Sequence, residues 1–262
     1  MDIFWLSLIQ GVSEFFPVSS SGHLFISSHL FNLHSAGRLT EVILNFATLL
    51  VVFAYFRTEI KALIGALFGV FKGYASPIFH QGLKICVATL PVICIGFLVH
   101  HYVDHLTHGV RLFGWVSIVF GLLMMGADLY GKHHTTYERI TYKKAFLIGL
   151  FQAGAFIPGA SRLGLSLTGA RLLGMKRTDA AKFSFLTSIP IGVGALALLF
   201  RATLNDTFFY IGVDFFVILF ACFCVGYGSL YFFMWWLRKN SLILFGLYRI
   251  LLGAFVLLYF HA

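Results

Sequence analysis

The chain has 262 residues, of which 59% are hydrophobic and only 11% are charged, and its mean hydropathy is +0.89. A soluble domain of this length carries about a quarter charged residues, so the composition excludes an ordinary soluble globular protein. The formal charge of +9 has to be interpreted through its distribution along the chain, and we expect a membrane lipid, not a nucleic acid, as partner.

The first polar interruption is LIQGVSEFFPVSSSGHLF, residues 8–25. A helix is predicted to end before Pro17, and Gln10 and Glu14 lie four residues apart on one face of it. A carboxylate inside lipid is costly unless it is paired or hydrated, which makes Glu14 a functional candidate. The alternative is a glutamate at the level of the lipid headgroups.

A run of small polar residues follows the proline. Hydroxyls and backbone N–H groups in a tight turn can hold phosphate oxygens, and a histidine can donate to phosphate or transfer a proton. The residues concerned are Ser19, Ser20, Ser21, Gly22 and His23. A serine cluster before a helix is more often a helix cap. The phosphate-binding interpretation of this run therefore depends on its closeness to Glu14.

Six long apolar runs come next in the chain. A spanning helix needs roughly 17 to 25 residues, so several runs qualify only together with their flanks. As core helices of a soluble protein they would leave almost no polar surface, and we therefore expect an integral membrane protein. The runs are Val42–Phe56, Ile85–Val99, Leu112–Ala127, Phe183–Phe200, Phe208–Trp236 and Leu242–Phe260.

Two charged residues stand beside or within these runs. Glu41 comes directly before the first run, and Arg249 lies inside the last. An intramembrane arginine needs a partner, which could be a carboxylate of the site or a headgroup. The segment HHYVDHLTH (residues 100–108) lies between the second and third runs. Its histidines have a spacing that can hold a metal, but a hydrated polar face is the expectation.

The second polar interruption is GLFQAGAFIPGASRLGLSLTGARLLG, residues 149–174. Its Arg162 has a planar fork that suits bidentate contact with phosphate. The alternative is extension of the arginine to the cytoplasmic interface, as we expect for Arg171 and Lys176. Facing loops with an acid, hydroxyls, a histidine and an arginine would form a pocket for a phosphorylated lipid.

The two interruptions echo each other. A shift of 141 positions places Pro17 on Pro158 and Ser20 on Ser161. Gln10 and Gln152 also correspond, but they are separated by 142 positions and so lie one position out of this alignment. Interrupted segments at matching positions of inverted halves indicate a binding site near the bilayer midplane.

Each interruption is followed by three apolar runs, which gives two halves, residues 1–127 and 128–262. An odd number of spans inverts the second half relative to the first. The sequence therefore predicts an all-α integral membrane protein built as an inverted repeat, each half one re-entrant helix hairpin plus three transmembrane helices. Under this topology, 15 lysines and arginines lie on one side and 3 on the other, with Arg249 inside a span. The basic side is predicted to be cytoplasmic, so the first interruption enters from outside.

Two motifs resemble a known family. Gln10-x-x-x-Glu14 followed by Pro-Val-Ser-Ser-Ser-Gly-His (residues 17–23), and Pro-Gly-Ala-Ser-Arg (158–162), are similar to the two signatures of undecaprenyl-diphosphatases, bacterial cell-envelope lipid phosphatases associated with bacitracin resistance. The likeness extends through Lys182–Pro190 to Tyr248 and Arg249 and covers essentially the whole chain. It implies removal of one phosphate from undecaprenyl diphosphate for carrier-lipid recycling in cell-wall synthesis.

The resemblance also implies a fold, a cofactor and a location. The fold is an inverted repeat of two re-entrant hairpins and six spanning helices, in the bacterial cytoplasmic membrane and often dimeric. Its site opens to the periplasm and requires a divalent metal, Mg²⁺ or Ca²⁺. The implied fold and the outward opening of the site agree with the expectations drawn from the repeat and the charges.

Carried over by motif position, the catalytic candidates are Glu14, Ser20, His23 and Arg162, with Glu14 also the metal ligand. The substrate-binding candidates are Gln10, Ser19, Ser21, Gly22, Gly159, Ser161, Ser166, Glu41 and Arg249. The chain departs from the family pattern at Leu163, where serine is usual, at Ser166, where threonine is usual, and at Asn45, where glutamine is usual. Leu163 puts rate, substrate preference or activity in question.

Several alternatives stay open from the sequence. The nucleophile is either Ser20, with His23 as base or acid, or a water activated by Glu14. A polyprenyl-phosphate transporter or flippase is a rival function, because inverted repeats with broken helices are a common transporter plan. A lipid-phosphate binding protein with impaired catalysis is another.

Overall fold

A computed structural model describes residues 2–31, 37–74, 76–106, 110–131, 134–203 and 213–260. Within these ranges the chain is helical, and a single isolated bridge pairs Thr135 with Met175. The side chains of the histidine-rich segment 100–108 lie outside the described part. The α-helices are α1 Asp2–Ser13, α2 Ser20–Phe31, α3 Gly37–Tyr55, α4 Arg57–Phe71, α5 Pro77–Leu106, α6 Val110–Tyr130, α7 Tyr142–Ala153, α8 Arg162–Leu172, α9 Arg177–Thr203, α10 Val213–Trp236 and α11 Ile243–Tyr259.

The long helices have the length and composition of membrane spans. Four of them, α5, α6, α9 and α10, are long and apolar enough to cross a bilayer, and α3 with α4 passes the same test as one bent pair. The shorter helix α11 is apolar over its 17 residues. All six predicted apolar runs are largely helical, which confirms a multi-pass integral membrane protein.

Helix α4 is a feature that the sequence did not reveal. The segment after α3 was expected to be a connection between spans, but Arg57–Phe71 forms a helix bent by 79° from α3. Its apolar side chains are open, with Phe68 62% and Phe71 83% exposed. Large exposed apolar side chains belong against lipid or another apolar surface.

The helices pack in a reciprocal pattern. Helix α1 packs against α10 as α7 packs against α5, and α3 packs against α10 as α9 packs against α5. Helix α6 packs against α11, and α3 against α9. The two halves are therefore interlocked, each hairpin resting on spans of the other half. The expected division after residue 127 falls inside α6, which continues to Tyr130.

Glycines bring α6 and α11 into backbone contact. A Cβ added at Gly121 would lie 2.8 Å from the Gly246 carbonyl oxygen, and one at Gly114 would lie 3.1 Å from that of Gly253. Apolar burial drives no association between helices in lipid, so close approach of small residues is what holds such a pair. This contact sets the position of α11 against the first half of the chain.

A buried carboxylate joins four helices at one end of the bundle. Asp128, in the last turn of α6, accepts from Arg171 Nε at 2.8 Å, from Arg177 Nη2 at 2.9 Å and from the backbone N–H of Leu242 at 2.9 Å. Arg171 is 1% exposed, so the expectation that it extends to the interface was wrong. Its charge is neutralised inside the protein instead, whereas Lys176 is exposed as expected.

Asp128→Asn should destabilise the protein strongly. Removing one partner of a buried ion pair leaves the other charge uncompensated, which typically costs about 3–5 kcal/mol, or on the order of 10 °C in Tm. Thermal unfolding in detergent measures the change. The matched control is Glu59→Gln, which removes a 2.9 Å pair with Lys182 that is about 30% exposed and should cost no more than about 1 kcal/mol. Equal losses in the two variants would contradict the assigned role of Asp128.

Candidate active site

The first hairpin turns between α1 and α2. Helix α1 ends at Ser13, because Pro17 has no N–H to donate to the Ser13 carbonyl. The Glu14 N–H still donates to the Gln10 carbonyl at 3.0 Å, so both side chains lie on one face, as predicted. Ser19 then takes φ +72° and α2 begins at Ser20.

The second hairpin repeats this turn. Helix α7 ends at Ala153, and Ser161, with φ +65°, caps α8 by accepting from the Gly164 N–H at 3.1 Å. Within the described chain, Ser19 and Ser161 are the non-glycine residues with positive φ. L-residues rarely adopt this conformation, so it marks equivalent positions in the two hairpins.

The shared conformation corrects the register of the repeat. Ser19 and Ser161 are 142 positions apart, as are Gln10 and Gln152. The predicted match of Ser20 with Ser161 was therefore wrong by one residue. In the structure Ser20 and Arg162 each begin the second helix of their hairpin.

Glu14 joins the two hairpins. Its Oε2 accepts from the Ser20 hydroxyl at 2.5 Å and from Gln10 Nε2 at 3.1 Å. Its Oε1 accepts from Arg162 Nη2 at 3.3 Å. The side chains of Glu14 and Arg162 are 21% and 30% exposed, so the pair is open to a ligand. An acid, a hydroxyl and an arginine from both interruptions thus come together as the sequence indicated.

A cavity of about 500 Å³ opens beside this cluster. That volume is typical of ligand pockets. Leu163 lines the wall of the cavity at the position where the resemblance led us to expect serine. The predicted site residues that line the cavity are Gln10, Glu14, Ser19, Ser20, Ser21, Glu41, Gly159, Ser161 and Arg162.

His23 faces α11 and does not line this cavity. Its Nδ1 lies 2.8 Å from the Ser19 carbonyl, and its Nε2 lies 2.6 Å from the Tyr248 hydroxyl, with the two rings stacked. A carbonyl can only accept, so Nδ1 carries the proton and Nε2 accepts from Tyr248. His23 thereby holds the positive-φ turn that precedes Ser20.

Arg249 lies behind both hairpin loops. It is 1% exposed, and its guanidinium donates to the carbonyls of Pro17 at 3.2 Å, Ala160 at 3.0 Å and Gly159 at 2.8 Å. These carbonyls belong to both interruptions, so one side chain ties the loops together. The structure gives Arg249 this internal role in place of the cavity contact that was predicted.

Two further predicted binding residues lie in helix interfaces. Ser166 is buried, and its hydroxyl lies 2.7 Å from that of Ser184 on α9. Gly22 is buried, and a Cβ there would overlap the ring of Phe113. Both positions are therefore set by packing between helices, and neither lines the cavity.

Two residues of the site were not identified as such from the sequence. Tyr248 was noted only as a neighbour of Arg249, and nothing local indicates its contact with His23. Gln152 also lines the cavity. The spacing of 142 between Gln10 and Gln152 was a usable signal, but it was treated as a slip of the repeat.

The oxygen donors of the cavity fit a hard divalent cation. Glu14 and Glu41 supply carboxylates, and Asn45 supplies an amide oxygen; such donors suit Mg²⁺ and Ca²⁺. In the described part of the chain, no group of three or more His, Cys, Asp or Glu side chains could hold a metal. This pattern fits a cation held by one or two carboxylates together with substrate phosphates.

Comparisons with known proteins agree along the whole chain. Residues 3–255 match the family described as Bacitracin resistance protein BacA. An undecaprenyl-diphosphatase of Saccharophagus degradans is 38% identical over 98% of this chain and 97% of its own length. One from Alteromonas mediterranea is 37% identical over 99% and 97% of the two chains. Undecaprenyl-diphosphatase 4 of Bacillus cereus is 34% identical over 98% and 96%.

Proposed function

The chain belongs to the Bacitracin resistance protein BacA family, and we propose that it hydrolyses undecaprenyl diphosphate to undecaprenyl phosphate and inorganic phosphate. The observation that carries this proposal is the Glu14 carboxylate, which contacts Ser20 at 2.5 Å and Arg162 at 3.3 Å. A base, a hydroxyl and a cation within one contact shell are what phosphoryl transfer requires. The apolar helices around the site suit a lipid substrate.

Arg162 binds the phosphate and stabilises the charge that develops during transfer. Its guanidinium reaches the cavity from the second hairpin, and a preorganised cation is most effective where water is largely excluded. Its contact with Glu14 Oε1 orients the guanidinium before substrate arrives. Arginine suits this task because its planar fork can bind two oxygens at once.

The contact between Ser20 and Glu14 supports Ser20 as nucleophile and Glu14 as its base. Ser20 Oγ bonds to the terminal phosphorus while the bond from that phosphorus to the bridging oxygen breaks. The hydroxyl proton passes to Glu14, which gives it to the departing undecaprenyl phosphate. Water then hydrolyses the phosphoserine, releasing inorganic phosphate and returning a proton to Ser20. His23 supports this step by holding the turn before Ser20.

The cation belongs to the proposal as well. Glu14 and Glu41 are the carboxylates of the cavity, and we propose that they hold Mg²⁺ or Ca²⁺ with the substrate. A bound divalent cation neutralises charge on the diphosphate. The Asn45 Nδ2 donates to the Glu41 carbonyl at 2.8 Å, which orients the Asn45 amide.

Ser20→Ala and Glu14→Gln should each lower phosphate release from undecaprenyl diphosphate by about a hundredfold or more. Each removes a group that acts on the transferring phosphoryl, and such losses are on the order of 3 kcal/mol. The assay uses purified protein in detergent with Mg²⁺ or Ca²⁺, and Tm shows whether the variants remain folded. Tyr259→Phe on α11 is the control, since it keeps the ring that stacks on Phe255. Near-normal phosphate release by folded Ser20→Ala would exclude Ser20 as the nucleophile. No phosphate release by the parent protein would exclude the proposed phosphatase activity.

We further propose that the halves are inverted, that the cavity opens to the outside of the cytoplasmic membrane, and that each interruption is a re-entrant hairpin. The reciprocal packing of α1 on α10 and of α7 on α5 supports a two-fold relation between the halves. The excess of lysine and arginine on one side supports its orientation. An outward-facing cavity would receive its lipid substrate from the outer leaflet of that membrane.

A cysteine at position 107 should be labelled from outside intact cells by an impermeant thiol reagent, and a cysteine at position 136 should not. Positive loops remain cytoplasmic, and position 136 lies in the basic segment. The native cysteines Cys86, Cys94, Cys222 and Cys224 are first replaced by serine or alanine. Labelling of position 136 alone would mean that the orientation in the membrane is the reverse of the one proposed. Equal labelling of both positions would contradict the proposed inversion of the two halves.

A further inference from the structure

Gln152 carries a buried carboxamide without an internal partner. The residue is 1% exposed, and neither its Nε2 nor its Oε1 has a hydrogen-bond partner within the described chain. Buried amides are nearly always paired, because leaving one unpaired forfeits the hydrogen bonds it made with water. The hydrogen-bond partner of this glutamine is therefore expected to be a group that is absent from the ligand-free protein.

The corresponding residue of the first hairpin shows what is different. Gln10, 142 positions earlier, donates to Glu14 at 3.1 Å, four residues further along the chain. Four residues after Gln152 the chain has Phe156, which can accept nothing. The second hairpin thus keeps the glutamine and lacks the carboxylate that would occupy it.

Gln152 borders the same cavity as the Glu14–Arg162 pair, with its carboxamide buried in the wall. Gln152 lines that cavity together with Ser161 and Arg162. It also borders a second recess, beside Glu14, Arg162 and Asn45. An amide N–H in the wall of a cavity that an arginine also lines is a suitable donor for a phosphate oxygen, which offers several acceptor lone pairs.

We propose that Gln152 is a substrate-binding residue whose Nε2 donates to an oxygen of the bound diphosphate, while its Oε1 accepts from water that hydrates the phosphate. This assignment rests on the proposed function. It gives the second hairpin two phosphate-binding groups, Arg162 for charge and Gln152 for a directed neutral hydrogen bond. It also explains why the resting protein tolerates an unpaired buried amide.

The test separates ligand binding from packing. Gln152→Met keeps the length of the side chain and removes the unpaired amide, so the Tm of the ligand-free protein should stay level or rise. Affinity for methylenediphosphonate, a non-hydrolysable diphosphate, should fall about tenfold, the loss expected for one hydrogen bond to a charged group. Calorimetry in detergent measures the Kd, and phosphate release gives the KM.

Two matched variants complete the experiment. Ser117→Ala removes another buried oxygen that has no partner in the described chain, on α6 and off the cavity lining; its Tm should also stay level or rise, but its Kd should not change. Gln152→Glu adds a negative charge and should bind methylenediphosphonate more weakly than Gln152→Met. A Glu variant that binds equally well or better would assign Gln152 to a cation and overturn the proposal.

The remaining outcomes are also decisive. Unchanged Kd and KM in Gln152→Met, or a Tm well below that of the parent, would mean that the carboxamide serves the fold and not the ligand. If the parent protein releases no phosphate from undecaprenyl diphosphate, the proposed function itself fails. If the parent releases phosphate and Gln152→Met binds methylenediphosphonate as tightly, the assignment of Gln152 alone fails.

Discussion

The buried guanidinium of Arg249 is the contact on which the site depends. A charge within a membrane helix is expensive unless polar groups surround it, and the carbonyls of Pro17, Gly159 and Ala160 surround this one at 2.8 to 3.2 Å. Those carbonyls lie in chain breaks, where no helical N–H is available to them, and buried carbonyls need donors. The loop carbonyls are therefore paired with Nη1 and Nη2 of the arginine, while its buried Nε has no hydrogen-bond partner in the described part of the chain.

This arrangement explains why the chain carries two interruptions and one site. Arg249 draws both breaks to a single point, and Glu14 and Arg162 come into contact in front of it. At one end of the bundle, Asp128 performs a related task with Arg171 and Arg177. Helix α11 takes part in both clusters, since it begins beside Asp128 and carries Arg249 near its middle. The close backbone contact of α11 with α6 fixes the distance between these two charged centres.

The sequence was informative where the signal is local. The spacing of Gln10 and Glu14 predicted a shared helix face, and the isolated Arg162 predicted a charge that the site would use. It was less informative where a partner is distant in the chain. Arg171 finds Asp128 43 residues away, and His23 finds Tyr248 225 residues away; no local pattern specifies either contact. The partners of Arg249 are backbone carbonyls, which no side-chain pattern identifies, and hydrophobic periodicity does not report the bend between α3 and α4.

The central claim is that the two hairpins form one phosphate site, and a double-mutant cycle between Glu14 and Arg162 tests it most directly. Phosphate release from undecaprenyl diphosphate is measured for Glu14→Gln, Arg162→Ala and the double variant. Groups that act together on one phosphate are strongly non-additive, so the double variant should lose little more than the worse of the two single variants. A loss equal to the product of the two single losses would mean that the hairpins act independently, and the single-site account would be wrong.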